Sequence, residues 1–433
     1  GRAMLMRLLL RSLALALKFA LAIIVARTLG FDAVAAYGLA VAAAVITSKL
    51  LGLGFSPELN RRLSEPDPLP AFGAMRTLCI AYGGIYLLLV ATLAIATANG
   101  DAALLARVGL PTRLAWCVLL VALSEHAAFE ANGWLFSLHR PRAGSLLLFV
   151  RTGAWAGVAG AGLLVGALHS IEAVFALWFT ANACVVALSR WRIGAVARQV
   201  RGRPQAARTL AVRERGVLSV WRHGLPFYVA GVVLASLQYA ERFIGGGHLS
   251  ADALGRYVFA WSIANAIQAL AFSTVVVTAG PRLVRVLSDA PHTFSRLAVR
   301  ATVASVIVTS IAAAAVLALH RDLFALAHEP ANAGQFALLA ILLVSFVLRG
   351  AADVLWTAAI ALRAGRAVMV STIALALSYL PLAWSLIVHA GAMGAAIAHL
   401  TASAGIVAAL ALIVARAGRS RATFSTEVAH HAA

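Results

Sequence analysis

Twelve apolar runs of about twenty residues, separated by short arginine-bearing loops, constrain this chain more than any other feature. They cover roughly 8–30, 34–55, 73–98, 114–138, 144–166, 171–191, 224–245, 252–279, 297–319, 335–360, 366–388 and 391–415. A helix rising ~1.5 Å per residue needs about 20 such residues to cross ~30 Å of hydrocarbon. Over that length in lipid a helix satisfies its own backbone, whereas a barrel strand is about half as long and alternates in polarity. Water is excluded as the surrounding solvent, because 62% of the 433 residues are hydrophobic and 12% charged. Soluble domains run at about 45–50% and about 25%. The mean hydropathy of +0.90 agrees. The chain is expected to be an all-α membrane protein with about twelve transmembrane helices.

The formal charge of +20 comes from 36 basic against 16 acidic residues. In a soluble domain that balance points to nucleic acid. Here the arginines flank membrane runs, so lipid headgroups are the expected counterions and nucleic acid is not an expected partner. Basic loop residues also orient the chain. With the N-terminus inside, 27 fall on the cytoplasmic side, and only Arg27, Arg107, Arg113, Arg256 and Arg321 fall outside. Both termini are therefore expected in the cytoplasm. The first run, behind Arg2, Arg7 and Arg11, resembles a signal peptide but is too long for one and opens a series, so it reads as the first span. Cys79, Cys117 and Cys184 sit in apolar runs without metal-ligand spacing and read as small core residues.

The longest loop, about 192–223, is basic and divides the spans six and six. This gives an N-terminal lobe over 1–200, a basic cytoplasmic linker over 201–222 and a C-terminal lobe over 223–433. The halves echo one another. Arg27-Thr28-Leu29-Gly30 before Tyr37 parallels Arg242-Phe243-Ile244-Gly245 before Tyr257, and Leu138-His139-Arg140 parallels Leu362-Arg363-Ala364. Even helix counts make these parallel repeats, expected as two pseudo-symmetric six-helix bundles around a central cavity suited to alternating access.

Ionisable groups at membrane depth cost at least ~2.5–3.5 kcal/mol each, which makes every one a functional candidate. Lys18 lies near the middle of the first run, and Lys49 sits near the inner end of the second, where snorkelling explains it equally well. The fourth run carries Glu125, His126, Glu130 and Asn132. His126 and Glu130 are spaced to bond each other, but two carboxylates and an imidazole also suit a proton or sodium relay. Arg349 and Asp353 are spaced i, i+4 in the tenth run, fitting a local ion pair or a cavity lining. Gln238, Glu241 and Arg242 share a face of the seventh run, and Trp261, Asn265 and Gln268 form a polar stripe on the eighth. No catalytic residues, metal ligands or cofactor motif are found.

These residues also carry a resemblance. Ala26-Arg27-Thr28-Leu29-Gly30 with Tyr37-Gly38-Leu39, Gly52-Leu53-Gly54 with Arg61, Pro226-Phe227-Tyr228, Glu241-Arg242-Phe243-Ile244-Gly245 with Leu254-Gly255-Arg256-Tyr257, and the glycine-rich run from Gly391 to Ala398 occur in order along nearly the whole chain. Together they resemble the polysaccharide-transporter, O-antigen-flippase branch of the multidrug/oligosaccharidyl-lipid/polysaccharide (MOP) exporter superfamily. Glu241 departs from it, since that branch more often has Asp before Arg. The resemblance implies a flippase of the bacterial inner membrane, with no cofactor, moving an undecaprenyl-diphosphate-linked oligosaccharide by ion-coupled alternating access. It also implies a polymerase and a chain-length protein as partners alongside membrane lipids. A diphosphate calls for cations, above all arginine with its two-pronged fork. The available set is Lys18, Arg27, Lys49, Arg242 and Arg349, with Glu125, Glu130 and Asp353 as ion-coupling candidates. Two other classes remain. A drug or cation antiporter of the same superfamily prefers an acidic, aromatic cavity, and a membrane glycan polymerase usually presents a large outer loop.

Overall fold

The computed structural model describes residues 2–65, 67–99, 111–201 and 217–431. Residues 202–216 of the expected linker, and Arg107, lie outside these. Among the described residues every regular element is helical, and ten helices are long and apolar enough to cross a membrane. One of the ten, Gly365–Gly418, contains two of the expected spans, because Gly391 breaks it with φ 59° and ψ −136°. The expected seventh span lies in Val217–His248, a helix outside that set of ten that carries Gln238, Glu241 and Arg242. Contacts divide the chain into two compact units, Gly1–Tyr228 and Val229–Ala433.

The first unit contains α1 (Arg2–Leu29), α2 (Phe31–Leu51), α3 (Ser56–Leu63), α4 (Leu69–Ala98), α5 (Thr112–Ser137), α6 (Pro141–Phe149), α7 (Trp155–Leu164) and α8 (Ile171–Arg201). The second run was expected to continue to residue 55, but the helix stops at Leu51. Leu53 and Gly54 take positive φ there, and Pro57 starts the short α3, since proline fits the first helical turn. Leu59 and Leu63 bury the inner face of α3. Helix α5 packs against α2 and α8 and is the inner helix of this unit.

The second unit contains most of α9 (Val217–His248), then α10 (Ala251–Ala271), α11 (Val277–Asp289), α12 (Phe294–Ala318), α13 (His320–Leu326), α14 (Ala333–Ala361) and α15 (Gly365–His431). Helix α14 packs against α10, α12 and α15, and so holds the position in this unit that α5 holds in the first. The outer faces are apolar: Leu87 and Leu88 on α4, Ile307 and Ile311 on α12 and Leu377 on α15 are all exposed. Polar side chains instead collect on the inner helices. That inversion is what a lipid solvent selects.

The echoing motifs fare differently. After α5, Arg140 N donates to Leu135 O at 3.0 Å with His139 at φ 54°, and after α14, Ala364 N donates to Ala359 O at 3.0 Å with Arg363 at φ 56°. Both are left-handed caps closing a six-residue loop. Gly30, by contrast, breaks the chain at φ 86°, while Gly245 remains inside α9.

A π-helical segment, Val150–Ala154, joins α6 to α7. A Cβ on Gly153 would stand 2.6 Å from the Ala14 Cα, so α1 approaches here as only glycine permits. Gly153→Ala is expected to cost about 1–3 kcal/mol through overpacking, read as a lower unfolding temperature in detergent. Gly84→Ala is the control, since its Cβ meets nothing within 4 Å, and it should leave that temperature near wild type.

Candidate functional site

In the first unit the π-helical segment brings Arg151 and Trp155 toward α5. The Trp155 indole donates to the Arg151 carbonyl at 2.9 Å. Arg151 Nη1 donates to Glu125 Oε1 at 2.7 Å, and Trp178 Nε1 donates to Glu125 Oε2 at 3.0 Å. Both oxygens of this carboxylate are therefore engaged. Trp178 stacks on Trp155 with ring centres 4.7 Å apart, and Lys18 Nζ stands 5.8 Å from the Trp178 ring centre. Glu125 and Arg151 are the charges acting on Lys18. Among the described residues Lys18 makes no hydrogen bond or ion pair, so its ammonium is held by an aromatic face and a nearby acid. Arg151 is one of the 27 basic residues expected on the cytoplasmic side. It lies instead in the fifth span, largely buried against Glu125, so one of the 27 belongs to the site and not to a loop.

Glu130 belongs to a second group, one turn and more along α5. Ser56 Oγ donates to Glu130 Oε1 at 2.7 Å, while His126 Nδ1 meets the Tyr86 hydroxyl at 2.5 Å. The bond between His126 and Glu130 suggested by their spacing does not form, because each side chain turns to a different neighbouring helix. Tyr82 packs edge-on to His126 with ring centres 4.7 Å apart. The Tyr82 hydroxyl and His126 Nε2 are buried without a hydrogen-bond partner. Arg27 and Lys49 are exposed near helix ends and join neither group.

In the second unit Arg242 is fully buried, its guanidinium 4.0 Å from the Trp261 ring centre and 4.9 Å from that of Tyr239. Glu241 accepts from the Tyr257 hydroxyl at 2.9 Å and from Tyr379 at 3.4 Å. Arg349 Nε donates to Ser403 Oγ at 3.1 Å, and Asp353 accepts from Gln268 Nε2 at 2.8 Å. The ion pair suggested by the i, i+4 spacing of Arg349 and Asp353 is therefore absent. Asp353 nonetheless acts electrostatically on Arg349, as does Glu241. Arg349 Nη2 is buried without a hydrogen-bond partner. Sequence reasoning passed over Ser345, Tyr379, His399 and Ser403. Their signal was weak: single polar residues inside apolar runs.

No protein-family model and no curated protein matches the sequence. Solved structures do. An inward-facing multidrug resistance MATE family transporter of the MOP superfamily aligns at TM-score 0.69 and 14% identity, over 96% of this chain and 99% of its own. The lipid II flippase MurJ, in an inward closed conformation, aligns at 0.62 and 11%, over 97% and 91%. A MOP superfamily transporter from Pyrococcus furiosus, described as having a binding pocket of reverse polarity, aligns at 0.55 and 13%, over 96% and 97%. Identities this low speak for architecture alone. The chain is a multi-pass membrane protein with the fold of the MOP superfamily transporters.

Proposed function

We propose that this protein is a flippase of the bacterial inner membrane, with both termini cytoplasmic, which translocates an undecaprenyl-diphosphate-linked oligosaccharide for polysaccharide biosynthesis. The observation that carries this reading is a cation with unused donors inside the spans of each unit: Lys18, with no ion pair among the described residues, and Arg349, with Nη2 unbonded. A buried donor left unmatched, as Arg349 Nη2 is, costs about 1–3 kcal/mol, while half-buried Lys18 makes no ion pair among the described residues. A fold that keeps such donors gains from them when an anion binds. A diphosphate supplies several strong acceptors, and its lipid tail stays in the bilayer while the head crosses. Similarity in fold to a lipid II flippase supports a lipid-linked substrate. Ion coupling would draw on Glu125, Glu130 and Asp353. The polymerase and chain-length partners follow from the same reading.

A drug or cation antiporter is the second reading, favoured by the buried carboxylates Glu130 and Glu241 and by the MATE likeness. Purified protein in vesicles separates the two. With undecaprenyl-diphosphate-linked oligosaccharide labelled on its sugar, and an impermeant quencher outside, the flippase reading expects labelled head groups to equilibrate between leaflets only in protein-containing vesicles. Ethidium should not accumulate against an imposed proton or sodium gradient. Ethidium accumulation without head-group movement establishes the antiporter instead.

A further inference from the structure

The second unit holds a pair of titratable groups outside both the cation set and the three coupling candidates. Glu241 on α9 and His399 on α15 are fully buried, with His399 Nε2 3.9 Å from Glu241 Oε1. The surrounding hydrogen bonds tie the imidazole to Arg349 through two serines. Arg349 Nε can only donate, and it donates to Ser403 Oγ. Ser403 sends its single proton to the His399 carbonyl at 2.9 Å. Ser345 can send its proton to Ser403 Oγ at 2.8 Å, to the His399 carbonyl at 3.1 Å or to His399 Nδ1 at 2.6 Å. In the first two arrangements the Ser345 oxygen accepts from His399 Nδ1; in the third it donates there, and it must reverse when the ring takes up a proton.

A neutral imidazole protonated at Nδ1 presents a lone pair at Nε2. That nitrogen has no hydrogen-bond partner, and it faces a carboxylate oxygen. In that tautomer two acceptors stand opposite each other, one proton short. The charged and titratable neighbours on every element around the pair leave this gap open. Tyr239 and Arg242 on α9 are engaged with each other and with Trp261. Tyr257 on α10 and Tyr379 on α15 already donate to Glu241. On α14, Arg349 donates to Ser403 and Asp353 accepts from Gln268.

We infer that Glu241 and His399 form a proton-binding pair, which takes up one proton between Nε2 and Oε1 and reports its state through Ser345 and Ser403 to Arg349. The proton comes from water and returns to water; one N–H or O–H bond forms on uptake and breaks on release, and no bond between heavy atoms changes. Once charged, the imidazole donates from both nitrogens, to Glu241 and to Ser345. The inference rests on the proposed transport only in naming what the proton is for, as the coupling ion of a step that moves an anion past Arg349.

The test needs no substrate. Full-length protein in lipid nanodiscs, carrying ¹⁵N-labelled histidine, is followed by infrared difference spectroscopy across roughly pH 5–8, where imidazole titrates. The expected result is a reversible protonation signal, on the ring or as the C=O stretch of a protonated carboxyl, that His399→Gln and Glu241→Gln each remove or move by about one pH unit or more, as the loss of a close partner requires. Ser345→Ala should also move the midpoint, by removing the acceptor at Nδ1, and it answers the question if His399→Gln does not fold. Ring and carboxyl signals identical in wild type, His399→Gln and Glu241→Gln overturn the pair, as does a midpoint that neither Glu241→Gln nor Ser345→Ala moves. Titration of the pair in a protein that flips no lipid-linked sugar would leave this inference standing and remove only the proposed substrate.

Discussion

Arg349→Ala is expected to cut head-group translocation by about 100-fold while the protein still reaches the membrane. Hydrogen bonds from a charged group contribute about 1.5–3 kcal/mol each, and about 3 kcal/mol is a factor near 100. The guanidinium is buried, anchored at Nε by Ser403, and carries an Nη2 without a hydrogen-bond partner. Such an arrangement aims a planar fork and holds it by one corner. Arg349→Lys keeps the charge without the second prong, so it should restore only part of the activity. An architectural role makes the opposite forecast, in which Asp353→Ala added to Arg349→Ala restores both level and transport. Because Asp353 bonds Gln268 and not Arg349, the double variant should remain inactive. Recovery in that variant would remove Arg349 from the substrate site. The measurement is the initial rate in vesicles, normalised to folded protein.

Glu125→Ala is expected to act on the other side of the ledger, by loss of folded protein. The pair with Arg151 is nearly buried, at 12% and 11% side-chain exposure, and the carboxylate also accepts from Trp178. Removing one partner of such a pair costs about 3–5 kcal/mol, because the remaining charge is stranded. Here two cations are stranded, since Lys18 shares the same acid. Gel filtration of a fluorescent fusion should show little monodisperse Glu125→Ala protein. Replacing the pair together, as Glu125→Leu with Arg151→Met, should recover a substantial part of it. If the single variant elutes normally and loses only its dependence on the imposed gradient, Glu125 serves ion coupling alone and braces nothing.

The membrane character and helical class were legible from run length and hydropathy, which depend on solvent more than on any partner. Periodicity stopped short wherever a distant element decided the outcome. The inner end of the second run turns at Leu53 and Gly54 because α3 needs to dock Leu59 and Leu63. Spacing on one helix suggested His126 with Glu130 and Arg349 with Asp353, yet each of these groups bonds to another helix. Arg151 lies inside the fifth run, and nothing local marks it as a site residue because its acid lies 26 positions earlier. The equivalence of Arg27 and Arg242 held in the letters but not in the surroundings, since one is exposed and the other fully buried. Single polar residues such as His399 and Ser403 carry no pattern at all until helices are set side by side.

The partnership of Lys18 with Glu125 has a consequence for how the chain is made. Synthesis runs from the N-terminus, and α1 emerges well before α5, which bears the acid. During that interval an ammonium near the middle of a span has no counter-charge, at a cost of about 2.5–3.5 kcal/mol on insertion scales. Arg151 and Trp178 arrive later still, on α6–α7 and α8. The charge on α1 is therefore offset only once the fourth span enters the bilayer. A nascent chain stalled after α4 therefore holds Lys18 in a span without the acid that acts on it in the folded protein.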